Sequence, residues 1–332
     1  MLRQLADRLI KPPQLALLAL IVLGDSANLA FAQTGIYTAE PIRIVVPFGA
    51  ASGPDFAIRA LQPTLQEILR QPVRVENRPG ANSIIGTRAV ATAAPDGYTL
   101  LGASTGFSTI ESMTSQPGVD PMRDFTPIGF SARSAGYVLV VSAKSPYATM
   151  QDLIAAGKRA PVYYGSPGIG NTLHLVAALF AEKTGAPFKH VPYPGVAEAV
   201  LATARGEVDF TFATLAAVVG QVQNGDLKAI GYAGSASLAE LRTVPLVASV
   251  AAGFRLAEPW AGLLAPARTP DSAIATLSRA LKRASEEPKY KTALQTGGYT
   301  PAWSSPAEFR AFLEQNISDW KQAGRAAGIN PN

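Results

Sequence analysis

The stretch Val73–Ser104 constrains the fold of this chain more than any other segment. Val73–Glu76 alternates apolar and charged residues, which is the period-2 pattern of a strand. Asn77–Gly80 ends that strand, because proline lacks an amide donor and glycine tolerates positive φ. From Ser83 apolar residues recur at helical spacing, and Tyr98–Leu101 begins a second apolar strand. The sequence therefore predicts a strand–helix–strand unit of an open α/β sheet, which binds ligands beyond the carboxyl ends of its strands.

Strand and helix patterns alternate along most of the chain after residue 40, which predicts an α/β fold. Two capped helices are predicted near the C-terminus: Thr269–Asp271 supplies a capping hydroxyl and an N1 proline, and Ser305–Glu308 forms a capping box. The aromatic residues of the last helix have the spacing of core residues. The further strands are predicted at Ile42–Pro47, Tyr137–Ser142, Val162–Gly165, Phe188–Pro192, Val208–Phe212 and Leu227–Tyr232.

The first thirty-odd residues have the pattern of an export signal. The basic residues are Arg3, Arg8 and Lys11. Leu15–Leu23 is an apolar run of nine residues, too short to cross a bilayer core of about 30 Å. Ala30–Ala32 provides the small residues for cleavage near Ala32/Gln33. We therefore expect residues 1–32 to be removed and the mature protein to lie in the periplasm.

The composition excludes several classes of function. The chain has no cysteine, so disulfides, thiol catalysis and Cys-bearing zinc sites are excluded. The formal net charge of +5 comes from scattered basic residues, which is too mild for nucleic-acid binding. A modest positive balance is compatible with an anionic small ligand. Asp and Glu do not cluster at metal-ligand spacing, and no phosphate-binding glycine motif occurs.

Three segments share one construction, in which a strand is followed by a loop of small residues and then by a helix start. They are Phe48–Asp55, Ser104–Ser108 and Ser166–Thr172. Small residues let a ligand approach the backbone, and the free N–H groups of a first helical turn attract anions. For any one of these loops, ordinary loop chemistry and capping are the favoured explanation. Three such loops facing one cleft favour ligand binding.

An enzyme hypothesis arises from Gly102–Gly106, which matches G-x-S-x-G after a strand and would make Ser104 an esterase nucleophile. That motif normally requires a histidine late in the chain, and none follows His190. Ser104-dependent hydrolysis therefore stays a minor alternative to binding.

Several short motifs of the sequence, taken in their order and spacing, resemble those of one protein family. Glu76–Ala81 and Ala94–Leu101 closely resemble motifs of the extracytoplasmic substrate-binding proteins of tripartite tricarboxylate transporters, the Bug receptors. The resemblance extends over nearly the whole chain after the export signal. It includes Val46–Phe48, Tyr164–Ser166, His174–Leu175, Val191–Tyr193, Gly195, Gly206–Asp209, Trp260–Gly262 and Ala265–Pro266.

The resemblance implies a two-lobed periplasmic-binding-protein fold of the type II, Venus-flytrap kind. Each lobe is expected to be a mainly parallel sheet flanked by helices. Lobe 1 would comprise residues 40–136 and 255–332, and lobe 2 residues 137–254. The hinge is expected near 130–137 and 254–262.

The function that the resemblance implies is a monomeric, non-enzymatic receptor without a cofactor. It would capture a small organic acid by hinge closure and deliver it to membrane permease subunits of a tripartite tricarboxylate-type transporter. Alternatives within the same fold are an amino acid, an amide or a vitamin-like acid as ligand, or a role as a signalling sensor.

In the family the ligand carboxylate lies against the loop after the first strand and against small polar residues of the opposite lobe. Here Ala51–Ser52 replaces the usual Gly pair, which removes φ freedom. No acidic or amide residue stands near Ala213, which argues against an amine-bearing ligand. His174 is expected to form hydrogen bonds or orient its helix, and Tyr193 to face the cleft or pack in the core. The expected ligand-binding residues are Phe48, Ala50, Ala51, Ser52, Asp55, Ser104, Thr105, Ser166, Gly170, Asn171, Thr172, His174, Tyr193 and Ala213.

Overall fold

The computed structural model describes residues 40–114, 116–134, 136–234, 241–256, 258–326 and 328. The predicted export segment lies outside these residues. None of the described helices combines the length and the apolar character that a bilayer crossing requires. The architecture consists of two β-sheets, each covered by helices.

Six strands form the first sheet. In spatial order they are β2 (Val73–Asn77), β1 (Ile42–Val46), β3 (Thr99–Ser104), β10 (Trp260–Pro266), β4 (Phe125–Ser134) and β11 (Tyr299–Pro301). β1 lies between β2 and β3 and pairs in parallel with both. β10 pairs antiparallel with β3 and β4, and β11 pairs antiparallel with β4. The two strands of the predicted strand–helix–strand unit, β2 and β3, therefore lie on either side of β1.

Five strands form the second sheet. In spatial order they are β7 (Lys189–Pro192), β6 (Tyr163–Ser166), β8 (Phe210–Ala213), β5 (Gly136–Ser142) and β9 (Leu227–Gly234). β6 pairs in parallel with β7 and β8, whereas β5 pairs antiparallel with β8 and β9.

The two-sheet α/β architecture is confirmed. Four of the six strands of the first sheet run in one direction, as do four of the five strands of the second. Both sheets are mixed. β4 and β5 are separated in the sequence by residue 135 alone, so no crossover helix sets the direction of β5. Among the described residues between β9 and β10, no crossover helix precedes β10 either. The direction of these strands follows from the connections between the sheets.

Helices cover both sheets and follow most of their strands. They are α1 (Gly53–Leu69), α2 (Ile84–Ala91), α3 (Thr105–Ser108), α4 (Ile110–Met113), α5 (Met150–Gly157), α6 (Thr172–Thr184), α7 (Val196–Arg205), α8 (Leu215–Gln223), α9 (Asp271–Glu286), α10 (Pro288–Gln295) and α11 (Pro306–Ala326). A short 3-10 turn spans Val247–Ser249.

The two predicted C-terminal caps have different outcomes. The capping box of α11 is confirmed, since the Ser305 amide donates to the Glu308 carboxylate (2.8 Å) and the Glu308 amide donates to Ser305 Oγ (3.3 Å). The predicted Thr269 cap of α9 is wrong. The Thr269 hydroxyl donates instead to the Pro266 carbonyl (2.8 Å), and Pro270 occupies the N-cap position without a side-chain bond.

Helix α11 packs against the cores of both sheets. Phe309 and Leu313 are buried in the core of the first sheet with Trp260, and Trp320 is buried in the core of the second sheet with Phe180. The prediction that the aromatic residues of this helix serve core packing is confirmed. One amphipathic helix therefore ties the two sheets together.

Gly262 on β10 gives a test of this packing. A Cβ there would lie 2.6 Å from the Phe309 ring and 2.8 Å from the Gly129 carbonyl oxygen. We expect Gly262→Ala to lower the free energy of unfolding by about 1–3 kcal/mol, because the central strand must shift. Urea unfolding followed by circular dichroism measures this.

Gly220→Ala in α8 is the matched control, since a Cβ at Gly220 would meet no atom within 4 Å. It should raise the free energy of unfolding by about 0.5–1 kcal/mol, the ordinary helical gain of alanine over glycine. Equal effects of the two substitutions would contradict the packing assigned to Gly262.

Candidate functional site

The central cavity lies where loops of the first sheet meet loops of the second sheet, and it encloses about 60 Å³. Residues of the first sheet and its adjoining loops that line it are Phe48, Ser52, Gly53, Pro54, Ser104, Thr105, Gly106, Pro259, Trp260 and Tyr299. Residues of the second sheet and its loops are Tyr137, Asn171, Thr172, Leu173, Val196 and Thr214. A molecule held in this cavity contacts both sheets.

The loop after β1 turns sharply before α1. The Ser52 hydroxyl and amide both donate to the Gly49 carbonyl, at 2.7 and 3.3 Å. Ala51 has a φ of 59°, in the left-handed region that disfavours a side chain. The replacement of glycine at this position therefore leaves the loop with backbone strain.

Asp55 anchors this loop from behind the cavity. Its carboxylate accepts hydrogen bonds from the Ala51 amide (3.0 Å), Arg59 Nε (2.9 Å) and Asn77 Nδ2 (2.7 Å). Asn77 Nδ2 also donates to the Phe48 carbonyl (3.1 Å). Asp55 is buried and does not line the cavity, so its charge serves the loop rather than a ligand.

Gly53 permits a close approach of the two sheets at the start of α1. A Cβ at Gly53 would lie 2.5 Å from both Thr214 Oγ1 and the Tyr299 hydroxyl oxygen. Thr214 precedes α8 of the second sheet, and Tyr299 lies on β11 of the first. Only glycine allows these two hydroxyl groups to meet the helix start.

Three hydroxyl groups at the cavity have no hydrogen-bond partner among the described residues. They belong to Thr105, Thr172 and Thr214, which are all buried. A buried hydroxyl without a partner costs about 1–3 kcal/mol of stability. Unsatisfied groups of this kind are typical of a site that completes its hydrogen bonds with a ligand.

Five of the described helices begin at the cavity wall. They are α1 after Ser52, α3 after Ser104, α6 after Asn171, α7 at Val196 and α8 after Thr214. Asn171 caps α6 by accepting from the Leu173 amide (3.0 Å), whereas Ser52 and Thr214 form no capping bond. First-turn amides carry a partial positive charge, so these helix starts favour a negatively charged ligand group.

The lining of the cavity is electrically neutral. No Lys, Arg, His, Asp or Glu stands among its described lining residues. Burial raises the pKa of the Tyr137 and Tyr299 hydroxyls well above the usual value, and for Tyr299 the neighbouring Tyr137 adds to the rise. Both phenols therefore stay protonated and can donate hydrogen bonds.

The structure brings part of the predicted ligand-binding set together. Six of these residues line the cavity: Phe48, Ser52, Ser104, Thr105, Asn171 and Thr172. They come from all three predicted loops.

The other predicted residues lie elsewhere. Ala50, Ala51 and Asp55 line a neighbouring surface depression with Arg59. Tyr193 packs against Gly165, and Ala213 is paired with Val138 inside the second sheet. Ser166 and Gly170 lie on the turn that precedes α6, and His174, in the first turn of α6, accepts a hydrogen bond from the Gly170 amide.

Several lining residues were not predicted. Thr214 follows a strand and precedes a helix, so the construction that identified the other loops could have found it. Tyr137, Trp260 and Tyr299 lie on apolar strands and carry no local signal of a site. They reach the cavity only because β5, β10 and β11 begin beside it.

The esterase and metal hypotheses gain no geometric support. Ser104 lines the cavity, but neither His174 nor His190 is among its lining residues. Among the described residues, no group of three His, Cys, Asp or Glu could hold a metal ion. The cavity offers hydrogen-bond donors without an acid–base pair.

Comparison with known proteins identifies relatives across nearly the whole chain. Residues 57–329 match the model of the tripartite tricarboxylate transporter family receptor. Protein BugT of Bordetella pertussis is 31% identical over 296 residues, covering 88% of this chain and 90% of BugT.

Solved structures give the same result. The periplasmic binding protein BugD is 28% identical, with a TM-score of 0.83 and coverage of 89% of this chain and 99% of that one. Rpa4515 of R. palustris, solved with adipate, is 27% identical, with a TM-score of 0.84 and the same coverage.

Thr172→Val tests whether the unpartnered hydroxyl is retained at a cost to stability. Valine keeps the shape and removes the unsatisfied group, so the free energy of unfolding of the ligand-free protein should rise by about 1 kcal/mol. Urea unfolding measures this change.

Thr211→Val is the matched control on β8. Thr211 is also buried, but its hydroxyl donates to the Gly165 carbonyl (2.8 Å). This substitution should lower the free energy of unfolding by about 0.5–1.5 kcal/mol. A loss of stability in both variants would contradict the assignment of Thr172.

Ala51→Gly tests the strain in the loop after β1. Glycine adopts a φ of 59° without a steric cost, so the free energy of unfolding should rise by about 0.5–1 kcal/mol. Ala50 is not among the residues with positive φ, so Ala50→Gly should destabilise the protein instead. Thermal melting of the two variants compares them directly.

Proposed function

Because this chain belongs to the tripartite tricarboxylate transporter receptor family, whose relative BugD is a periplasmic binding protein, we propose that it captures a small organic acid and delivers it to a membrane transporter of the tripartite type. The proposal includes export, removal of residues 1–32 and action as a monomeric receptor in the periplasm. The observation that supports it most directly is the cavity between the two sheets, with its unpartnered hydroxyls and helix starts.

The donors at the cavity favour a carboxylate. A buried anion must regain the hydrogen bonds that it loses with water. The hydroxyls of Thr172 and Thr214, the two protonated tyrosines and the first-turn amides can supply such bonds. Because these donors are neutral, no charged side chain has to lose its water in the ligand-free cleft. The protein can therefore alternate between binding and releasing its ligand.

The same lining disfavours an amino acid as the ligand. An ammonium group moved out of water needs an acidic partner, and no Asp or Glu stands among the described lining residues. We therefore propose that the ligand is an acid without an amine.

The size of the cavity limits the ligand that fits the present arrangement. At about 10–15 Å³ for each enclosed water, 60 Å³ is room for about four to six water-sized groups. A linear acid such as adipate, which the relative Rpa4515 binds, would require the two sheets to move slightly apart. Adipate is therefore a suitable first probe.

We propose that the ligand acts by closing two lobes, residues 40–136 with 255–332 and residues 137–254, about hinges near 130–137 and 254–262. Binding residues from both sheets make the ligand's affinity differ between open and closed forms, which is what a closing ligand needs. One hydrogen bond outside the cavity also joins the two sides, from Asn82 Nδ2 to the Ile169 carbonyl (2.6 Å). This bond would form only in the closed form.

Thermal melting with a panel of acids tests the proposal. Adipate, shorter and longer linear dicarboxylates, aliphatic monocarboxylates and aspartate are compared at equal concentration. A ligand at about 100 times its Kd should stabilise the protein by about 2.7 kcal/mol. We expect a rise in Tm with at least one amine-free acid and none with aspartate.

Thr172→Val should abolish most of that ligand-induced rise, whereas Thr211→Val should keep it, because only Thr172 faces the cavity. A chromogenic ester added to the same samples should show no turnover that Ser104→Ala removes. The absence of a response to every acid, or Ser104-dependent hydrolysis, would contradict the proposed function.

A further inference from the structure

The turn before α6 presents ligand-facing residues to the cavity and is weakly held by its own backbone. It spans Ser166–Asn171 and contains Gly168 and Gly170, with φ values of 109° and 76°. Its internal bonds run from the Ser166 hydroxyl (3.2 Å) and the Asn171 amide (3.3 Å) to the Gly168 carbonyl. Asn171 and Thr172 at its end line the cavity. The position of these two residues therefore depends on what supports the turn.

Two histidine rings contact this turn from the side away from the cavity lining. The Gly170 amide donates to Nδ1 of His174 (3.0 Å). Nε2 of His190 lies 2.6 Å from Ser166 Oγ. Each end of the turn is thus bonded to one imidazole.

The two rings form one rigid stack. Their centroids are 4.0 Å apart with an interplanar angle of 29°. The Tyr164 ring lies 5.0 Å from the His190 ring and 5.5 Å from the Phe210 ring. Because Tyr164 and Phe210 belong to the core of the second sheet, the stack connects the turn to the sheet itself.

We propose that His174 and His190 are positioning residues that hold the turn Ser166–Asn171 in the arrangement that presents Asn171 and Thr172 to the ligand. The proposal rests on the proposed function for its ligand, but its structural part concerns the turn alone. It also assigns a role to His174, which the sequence placed in the ligand-binding set and which does not line the cavity.

The bond from Gly170 requires Nδ1 of His174 to be unprotonated. The pKa of each histidine is lowered to about 4, chiefly by burial, and for His174 the neighbouring His190 contributes to the lowering. The other titratable groups beside the stack are Tyr164 on β6 and Glu182 on α6, the latter paired with Lys183. The two imidazole rings are therefore neutral at pH 7, and the single ring proton of His174 is on Nε2.

The sign of the pH dependence follows from these values. Between pH 6.5 and about 4 the unfolded chain binds protons that the folded histidines do not. The free energy of unfolding therefore falls as pH falls through this window. Protonation of Nδ1 would also place two N–H groups against each other and release Gly170 from His174.

Two pairs of variants separate positioning from general stability. His174→Asn retains a side-chain oxygen near the position of Nδ1, and His174→Leu retains only bulk. His190→Gln keeps a polar group near Nε2, and His190→Leu does not. Folding of all four is checked by circular dichroism at pH 7.

Nuclear magnetic resonance provides the ligand-independent readout. In the wild type at pH 7, the imidazole ¹⁵N shifts should show His174 protonated at Nε2 only, and the Gly170 amide should exchange slowly. The chemical shift of the Gly170 amide should begin to change with pH below about pH 5 in the wild type, and it should not change with pH in His174→Asn. Exchange at Gly170 should remain slow in His174→Asn and become fast in His174→Leu.

Calorimetry with adipate provides the second readout. His174→Leu and His190→Leu should weaken binding by about three- to tenfold, the equivalent of one hydrogen bond, and the Asn and Gln variants should restore most of it. A His174 protonated at Nδ1, or slow Gly170 exchange in a folded His174→Leu, would overturn the proposal. If adipate fails to bind the wild type, the proposed ligand is wrong while the Gly170 exchange still decides the role of the histidines.

Discussion

The whole proposed site depends on one electrostatic constraint: the proposed ligand brings a negatively charged group to a place where no positively charged side chain stands among the described lining residues. The described lining of the cavity holds no ionisable group other than two tyrosines, whose pKa values are raised by burial. Helix starts and unpartnered hydroxyls are then the available source of compensation. This explains why strand ends, short polar loops and helix starts from both sheets meet at one place.

The polar groups that support the site are hydrogen-bonded, whereas several hydroxyls that line it have no partner among the described residues. Asp55 is surrounded by donors, Thr211 bonds to a carbonyl, and the histidine stack bonds to both ends of one turn. Thr105, Thr172 and Thr214 have no partner in the part of the chain that the structure describes. Satisfied groups make the surroundings rigid, so the unsatisfied groups keep their positions until a ligand arrives. The loss of folding stability that the site causes therefore falls on a few unpartnered hydroxyls and on the strained Ala51.

Local patterns predicted the site where its residues are close in sequence. The loops around Ser52, Ser104 and Asn171 were found because a strand, a small polar loop and a helix start follow each other directly. Tyr137 and Tyr299 could not be found in this way, since they lie on strands whose sequence indicates only burial. The same limit applies to the mixed sheets, because strand direction depends on distant pairing. The failed Thr269 cap has a local cause instead, since its hydroxyl donates to the carbonyl of Pro266, three residues earlier.

The sequence by itself determined the α/β class, the order of most strands and helices, the capping box at Ser305 and the resemblance to a family of receptors. These properties depend on side-chain period and on chemistry within a few residues. The tertiary structure alone decided which loop residues share a cavity, which hydroxyls have no partner and that α11 joins both cores. It also placed His174 and His190 in hydrogen-bond contact with one turn. Such relations join residues far apart along the chain, and short-range sequence patterns carry no information about them.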